Sequence, residues 1–273
     1  MSQGARIGSD ELAFCTNAGL CLVEQDGDPN LLREEKQFVT RVVVEEARGR
    51  VRVIAGTAAC STKESIMLTE DARSSGADAA LITPPYYFTL REEALYRHYA
   101  EIAAASGLPI VIYNNPEYTG NNLNPRLIAR LARLEGIIGL KQTNTDIAQL
   151  VEVGRLVGSD FAILTGIDSQ VYPSLCVGAV GIISTAANVV PKQMVQLYTA
   201  YLEGRHQQTV DLQRKLHVWN RWLEGDLGYV TPCKEALALL GLPAGLVRRP
   251  QPELTGEERA GIRQALAELG LLQ

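Results

Sequence analysis

Ile137-Ile138-Gly139-Leu140-Lys141 is an apolar run that closes on a lone lysine, and upstream Pro109-Ile110-Val111-Ile112 closes in the same way on Tyr113. Each run reads as a buried parallel strand ending in a side chain that carries chemistry. In a β/α barrel the C-terminal ends of the strands line the mouth of the active site. A lysine held there in an apolar wall loses the hydration of its ammonium form, which favours the neutral amine, a nucleophile toward carbonyls. The chemistry this points to is Schiff-base formation at Lys141.

Outward from these two runs, strands and helices alternate. Short apolar stretches recur at Leu20–Val23, Val51–Ala55, Ala79–Thr83, Phe161–Thr165 and Val180–Ser184. Ser61-Thr62-Lys63-Glu64 and Thr89-Leu90-Arg91-Glu92 fit the capping box that opens a helix. Asn124-Pro125 sets a cap residue before a proline at the first helical position, and Ser75-Gly76 and Ser106-Gly107 supply glycine just past a helix end. Strand spacings suit βαβ units. No glycine-rich dinucleotide loop follows the first strands, and chemistry-bearing residues sit at several different strand ends, so the expected fold is an α/β, TIM-type (β/α)8 barrel.

Seven strands are legible where a closed barrel needs eight. The absent one would precede Leu20, where Ser9–Asn17 reads as helix; either Ala5-Arg6-Ile7 forms a stub or the first strand is missing. Beyond Pro191 the pattern turns helical at Gln193–Gly204, Gln207–Leu223, Pro232–Leu240 and Thr255–Leu269. The expected organisation is a barrel over residues 1–205 and a C-terminal helical extension over 206–273.

Composition bounds the function. The 273 residues are 46% apolar and 21% charged, with a net charge of -5. That balance argues against a nucleic-acid or anionic-membrane surface. The cysteines, Cys15, Cys21, Cys60, Cys176 and Cys233, are odd in number and lack metal-type spacing, as reduced thiols of a cytoplasmic protein would be. The start is polar and no run of about 18 apolar residues occurs, so neither a signal peptide nor a membrane span is expected. No Ser-His-Asp order or metal cluster is evident, and His98, His206 and His217 lie on helical stretches where structural roles suffice.

The chain resembles the dihydrodipicolinate synthase / N-acetylneuraminate lyase family of Schiff-base barrels. Tyr113-Asn114-Asn115-Pro116 with Thr119-Gly120 is similar to its Tyr-Asn-x-Pro-x-x-[TS]-Gly segment, and Gly139-Leu140-Lys141-Gln142 to its Gly-[IVL]-Lys-[ED] segment. Val53-Ile54-Ala55-Gly56-Thr57, Pro84-Pro85-Tyr86-Tyr87 and Gly181-Ile182-Ile183-Ser184 are also family-like and occur in the family's order. The resemblance implies that Lys141 attacks C2 of a 2-oxo acid, typically pyruvate, that Tyr113 moves protons on the reacting oxygens, and that Tyr87 completes a proton relay from a neighbouring subunit. It implies a homo-oligomer (dimer or tetramer), no cofactor and no metal, and substrate contacts at Gly166, Asp168, Ile183, Tyr118 and Gln25.

Two departures bear on the reaction. Where the family has Gly-[TS]-[TS]-Gly-Glu, this chain has Glu24-Gln25-Asp26-Gly27-Asp28-Pro29, with no hydroxyls and several carboxylates. Tyr118 stands where dihydrodipicolinate synthases carry an arginine that grips the second substrate's carboxylate, so the chain is not expected to be a true dihydrodipicolinate synthase. The main reading is an active lyase, an aldolase or related dehydratase; the alternative is an impaired barrel, a pseudoenzyme with a binding or regulatory role.

Overall fold

The computed structural model describes residues 20–23 and 30–272. Gln25 and the rest of Glu24–Pro29, and the segments Ala5-Arg6-Ile7 and Ser9–Asn17 where a stub strand and a helix were expected, lie outside the described residues.

Seven described strands, β1 (Leu20–Val23), β2 (Arg52–Gly56), β3 (Ala79–Ile82), β4 (Ile110–Asn114), β5 (Ile137–Gln142), β6 (Ala162–Thr165) and β7 (Gly181–Ile182), form one sheet. They pair in chain order, all parallel. A doubly wound sheet reverses its strand order at a switch point; an unbroken progression is that of a β/α barrel. The helices are α1 (Arg33–Ala47), α2 (Thr62–Ser74), α3 (Glu92–Ser106), α4 (Pro116–Thr119), α5 (Pro125–Leu131), α6 (Ile147–Leu156), α7 (Val171–Cys176), α8 (Pro191–Leu202), α9 (His206–Leu223), α10 (Val230–Leu239) and α11 (Gly256–Glu268).

By contact the chain divides into two units. One runs through Ile167 and includes Pro173–Ile183; the other comprises Asp168–Tyr172 and the chain from Ser184 onward. In the second, α9 packs against α8, α10 and α11, and fully buries Trp219.

In the first unit the period-2 alternation of the strands sorts side chains onto two faces. Ile110, Ile112, Leu140 and Ile163 join Tyr99, Ile102, Leu127, Ile128 and Val153 in one apolar cluster, between sheet and helices. Val111, Tyr113, Ala162 and Leu164 join Ile54, Leu81 and Ile183 in the other, on the opposite face. Tyr113 therefore faces the strand interior, and Lys141, one residue past Leu140 on β5, shares that orientation. Glycine is needed at Gly139, where a Cβ would lie 2.8 Å from the Ala162 carbonyl oxygen, because β5 and β6 approach closely there.

Helix starts follow side-chain chemistry. Ser61 Oγ accepts the Glu64 amide at 3.2 Å, and Asn124 Oδ1 accepts the Leu127 amide at 3.0 Å. The Thr89 capping box does not form: α3 starts at Glu92 with Arg91 as its cap. The Leu90 amide is already given to Asn121 Oδ1 at 2.8 Å, and Glu92 and Glu93 turn to Arg130 instead.

Candidate active site

Parallel pairing sets Tyr113 of β4 opposite Lys141 of β5, and Lys141 opposite Leu164 of β6. Both chemistry-bearing side chains are 2% exposed. Lys141 Nζ lies 3.8 Å from the centroid of the Tyr113 ring. Packed against a π face, the amine stays attracted as a cation, while burial opposes its charge. The Tyr113 hydroxyl accepts a 3.2 Å hydrogen bond from Asn115 Nδ2, which fixes the direction of the phenol.

Gly166 follows β6 and gives its amide to the Gln142 carbonyl at 2.8 Å. A Cβ at Gly166 would fall 1.9 Å from Thr143 Oγ1 and 2.7 Å from Lys141 Cε. The absent side chain is thus the space that the lysine stem and the threonine hydroxyl occupy. Thr143 lies two residues past Lys141, on the same side of the chain. Its buried hydroxyl has no hydrogen-bond partner among the described residues, so it can bond to a molecule held at Lys141.

Ile183 is buried in the cluster that holds Tyr113 and Leu164, and its amide donates to the Thr165 carbonyl at 2.9 Å. In the helical unit, Asp168 is buried with both carboxylate oxygens engaged: Ser184 Oγ donates to Oδ1, and the Ala186 amide to Oδ2 at 3.0 Å. The buried carboxylate adds to the effect of burial in pushing the Cys233 thiol up to about 12. Tyr118, on α4, is 50% exposed. No group of three or more His, Cys, Asp or Glu among the described residues is placed to hold a metal ion. No described helix is long and apolar enough to cross a membrane.

Tyr87 is 78% exposed and meets Phe88 edge-on, with centroids 4.8 Å apart. It is not enclosed beside Lys141 within its own chain. Its neighbour Tyr86 is half-buried, and burial, with a hydrogen bond to Cys60, pushes its hydroxyl up to about 12. The loop carrying both tyrosines is held by Asn121, whose Nδ2 donates to the Pro85 and Phe88 carbonyls, both at 2.8 Å, while its Oδ1 takes the Leu90 amide. Asn121 is placed in turn by the αL turn at Gly120 (φ 66°), and its amide donates to Thr119 Oγ1 at 3.2 Å.

The structure brings Tyr113 and Lys141 together, and it adds Thr143 beside the lysine stem and Asn121 at the tyrosine loop, which the sequence reading did not single out. The signal for Thr143 was available in its i+2 spacing from Lys141. That for Asn121 was not, since its partners lie more than thirty residues away.

The chain matches the Dihydrodipicolinate synthetase family over residues 19–269. It is 38% identical over 274 residues to the 4-hydroxy-tetrahydrodipicolinate synthase of Moorella thermoacetica (strain ATCC 39073 / JCM 9320), covering 98% of this chain and 92% of that one. The crystal structure of dihydrodipicolinate synthase from Aquifex aeolicus superposes with a TM-score of 0.88 at 31% identity, covering 96% of this chain and 90% of that one. A prophage protein of the dihydrodipicolinic acid synthase family from E. coli K12, solved in complex with pyruvate, superposes with a TM-score of 0.87 at 27% identity, covering 96% and 91%. These likenesses identify the fold as the TIM barrel of that family.

Proposed function

Because the chain belongs to the dihydrodipicolinate synthetase family, and with it to the class I Schiff-base lyases, we propose that Lys141 forms an imine with pyruvate or a related 2-oxo acid. Neutral Nζ adds to C2; the carbinolamine loses water to give the iminium. Loss of a C3 proton yields an enamine that attacks an aldehyde, or, in reverse, the C3–C4 bond breaks and its electrons pass into the iminium. Water then releases the product and regenerates the amine. Tyr113 carries the protons to and from the reacting oxygens. The observation that carries this reading is the register pair Tyr113–Lys141, both buried, with the amine against the phenol ring. The pyruvate bound by the related E. coli protein supports the substrate class.

Gly166 leaves room for the lysine stem, and the Ile183 backbone flanks the substrate. Asp168, tied to Ser184, and Gln25 are proposed as further substrate contacts. The curated relative is named a 4-hydroxy-tetrahydrodipicolinate synthase, but Tyr118 offers no guanidinium to grip a carboxylate. We therefore propose an acceptor that is neutral or cationic, and a reaction other than that synthesis. The free Thr143 hydroxyl supports an acceptor or product with a hydrogen-bonding group near the new bond.

High exposure of Tyr87, Phe88 and Tyr118 supports burial of these aromatics in a homo-oligomer, dimer or tetramer, with Tyr87 serving a neighbour's site. A cytoplasmic enzyme with a barrel over residues 1–205 and a helical extension over 206–273 fits these proposals. The test is borohydride reduction with pyruvate, mapped to Lys141, followed by an aldehyde screen. Best turnover with acidic aldehydes would overturn the acceptor assignment.

A further inference from the structure

One rung beyond the Tyr113–Lys141 pair, register sets Asn114 opposite Gln142. By alternation these two face away from the strand interior, behind the reacting side chains. Both are buried, and neither carries charge. Asn114 Nδ2 donates to Gln142 Oε1 at 3.1 Å and to Asn122 Oδ1 at 3.0 Å, while Asn114 Oδ1 takes the Leu123 amide at 3.0 Å. The Thr143 amide donates to the Asn114 carbonyl at 2.9 Å. The network continues outward: Gln149 on α6 donates to Asn122 Oδ1 at 3.1 Å and to the Leu123 carbonyl at 2.8 Å, and Asn122 and Asn144 both donate to Gln149 Oε1.

A buried amide set of this size is costly unless its geometry is kept, because each broken bond strands a polar group away from water. It crosses from β4 to β5 immediately beside the two reacting residues. We propose that Gln142, through Asn114, is a positioning residue for the Schiff-base pair. It locks the ends of β4 and β5 in register, so that the Tyr113 hydroxyl stays directed at the carbon Lys141 attacks. The inference rests on the imine-forming role of Lys141.

The acceptor atom of Gln142 is the working part. Its Nε2 has no partner among the described residues, so the amide nitrogen contributes nothing to the lock. A glutamate keeps an oxygen where Asn114 needs it; leucine and methionine do not.

The test compares wild type with Gln142→Leu and Gln142→Glu in two reactions at Lys141, each mapped by peptide mass. One is reduction of the pyruvate imine by borohydride, at saturating and sub-saturating pyruvate. The other is reductive methylation by formaldehyde, which reads the amine without any 2-oxo acid. Gln142→Leu is expected to slow pyruvate trapping at saturation by about tenfold or more, since small misplacements of reacting groups are costly. Half-saturation should change little, Lys141 methylation should slow as well, and Gln142→Glu should recover most of both rates.

Unaltered rates in folded Gln142→Leu would overturn the proposal. So would a Gln142→Glu loss as deep as that of leucine. If Gln142→Leu does not fold, Gln142→Met, similar in length but with no oxygen, carries the same expectations. A wild type that traps no 2-oxo acid, yet methylates at Lys141 faster than the leucine variant, would sink the substrate reading and support the positioning role.

Discussion

Gly166 shows how a residue without a side chain can decide the chemistry. Lys141 Cε and Thr143 Oγ1 fill the volume that any Cβ would claim. Gly166→Ala must push the lysine stem aside, and is expected to lower imine formation by about a hundredfold in a folded protein. Circular dichroism and the trapping rate together check this; an alanine variant that traps at the wild-type rate would show that the stem has slack. Tyr113→Phe keeps the ring against the amine and removes the proton carrier. Its turnover is expected to fall by roughly a hundredfold to ten-thousandfold. The Lys141 adduct should still form, more slowly, which single-turnover trapping would separate from steady-state loss.

At the scale of elements, the loop Pro85–Leu90 depends on one amide. Asn121→Ala breaks its hydrogen bonds to Pro85, Phe88 and Leu90 at once and strands those backbone groups. Faster amide exchange confined to residues 85–90, with weaker self-association, is expected; unchanged exchange would contradict the role. The packing of α3 onto α2 carries a pH dependence. His98 on α3 is buried, bonds Thr62 Oγ1 of α2 through Nδ1 at 2.9 Å, and is lowered by burial to about 4. Unfolded, the ring titrates near 6.5 and binds protons that the folded form refuses. The stabilisation is therefore complete above about 6.5 and is lost as pH falls toward 4, by up to about 3 kcal/mol. Thermal unfolding between pH 7 and pH 4.5 should show a steeper loss in wild type than in His98→Gln. Helix starts were legible where the cap is local, as at Ser61 and Asn124. At Thr89 the expectation failed because Glu92, the carboxylate of the box, pairs with Arg130, remote in sequence, and the helix starts at Glu92 itself.

Across the whole molecule, the strand runs and their spacing revealed a parallel α/β fold, and the order of the described strands bears that out. Tyr113 and Lys141 were legible because strand alternation is written in the sequence: each caps an apolar run. The roles of Gln142 and Asn121 were not, since they arise from approaches between strands and loops that no local pattern encodes. The contact units also depart from chain order. Asp168–Tyr172 packs with the C-terminal helices, Gln213 on α9 bonding the Asp168 carbonyl at 2.9 Å and the Tyr172 amide at 3.0 Å. The exposed aromatic patch around Tyr87 is expected to close between copies, so sedimentation velocity should find a dimer or larger, and Tyr87→Ala should lower turnover; a fully active monomer would contradict both. The account stands most directly on borohydride trapping of the intact chain with pyruvate. A single reduced adduct on Lys141, absent from Lys141→Ala, is the expected result. Folded protein that yields no adduct with any of several 2-oxo acids would contradict it.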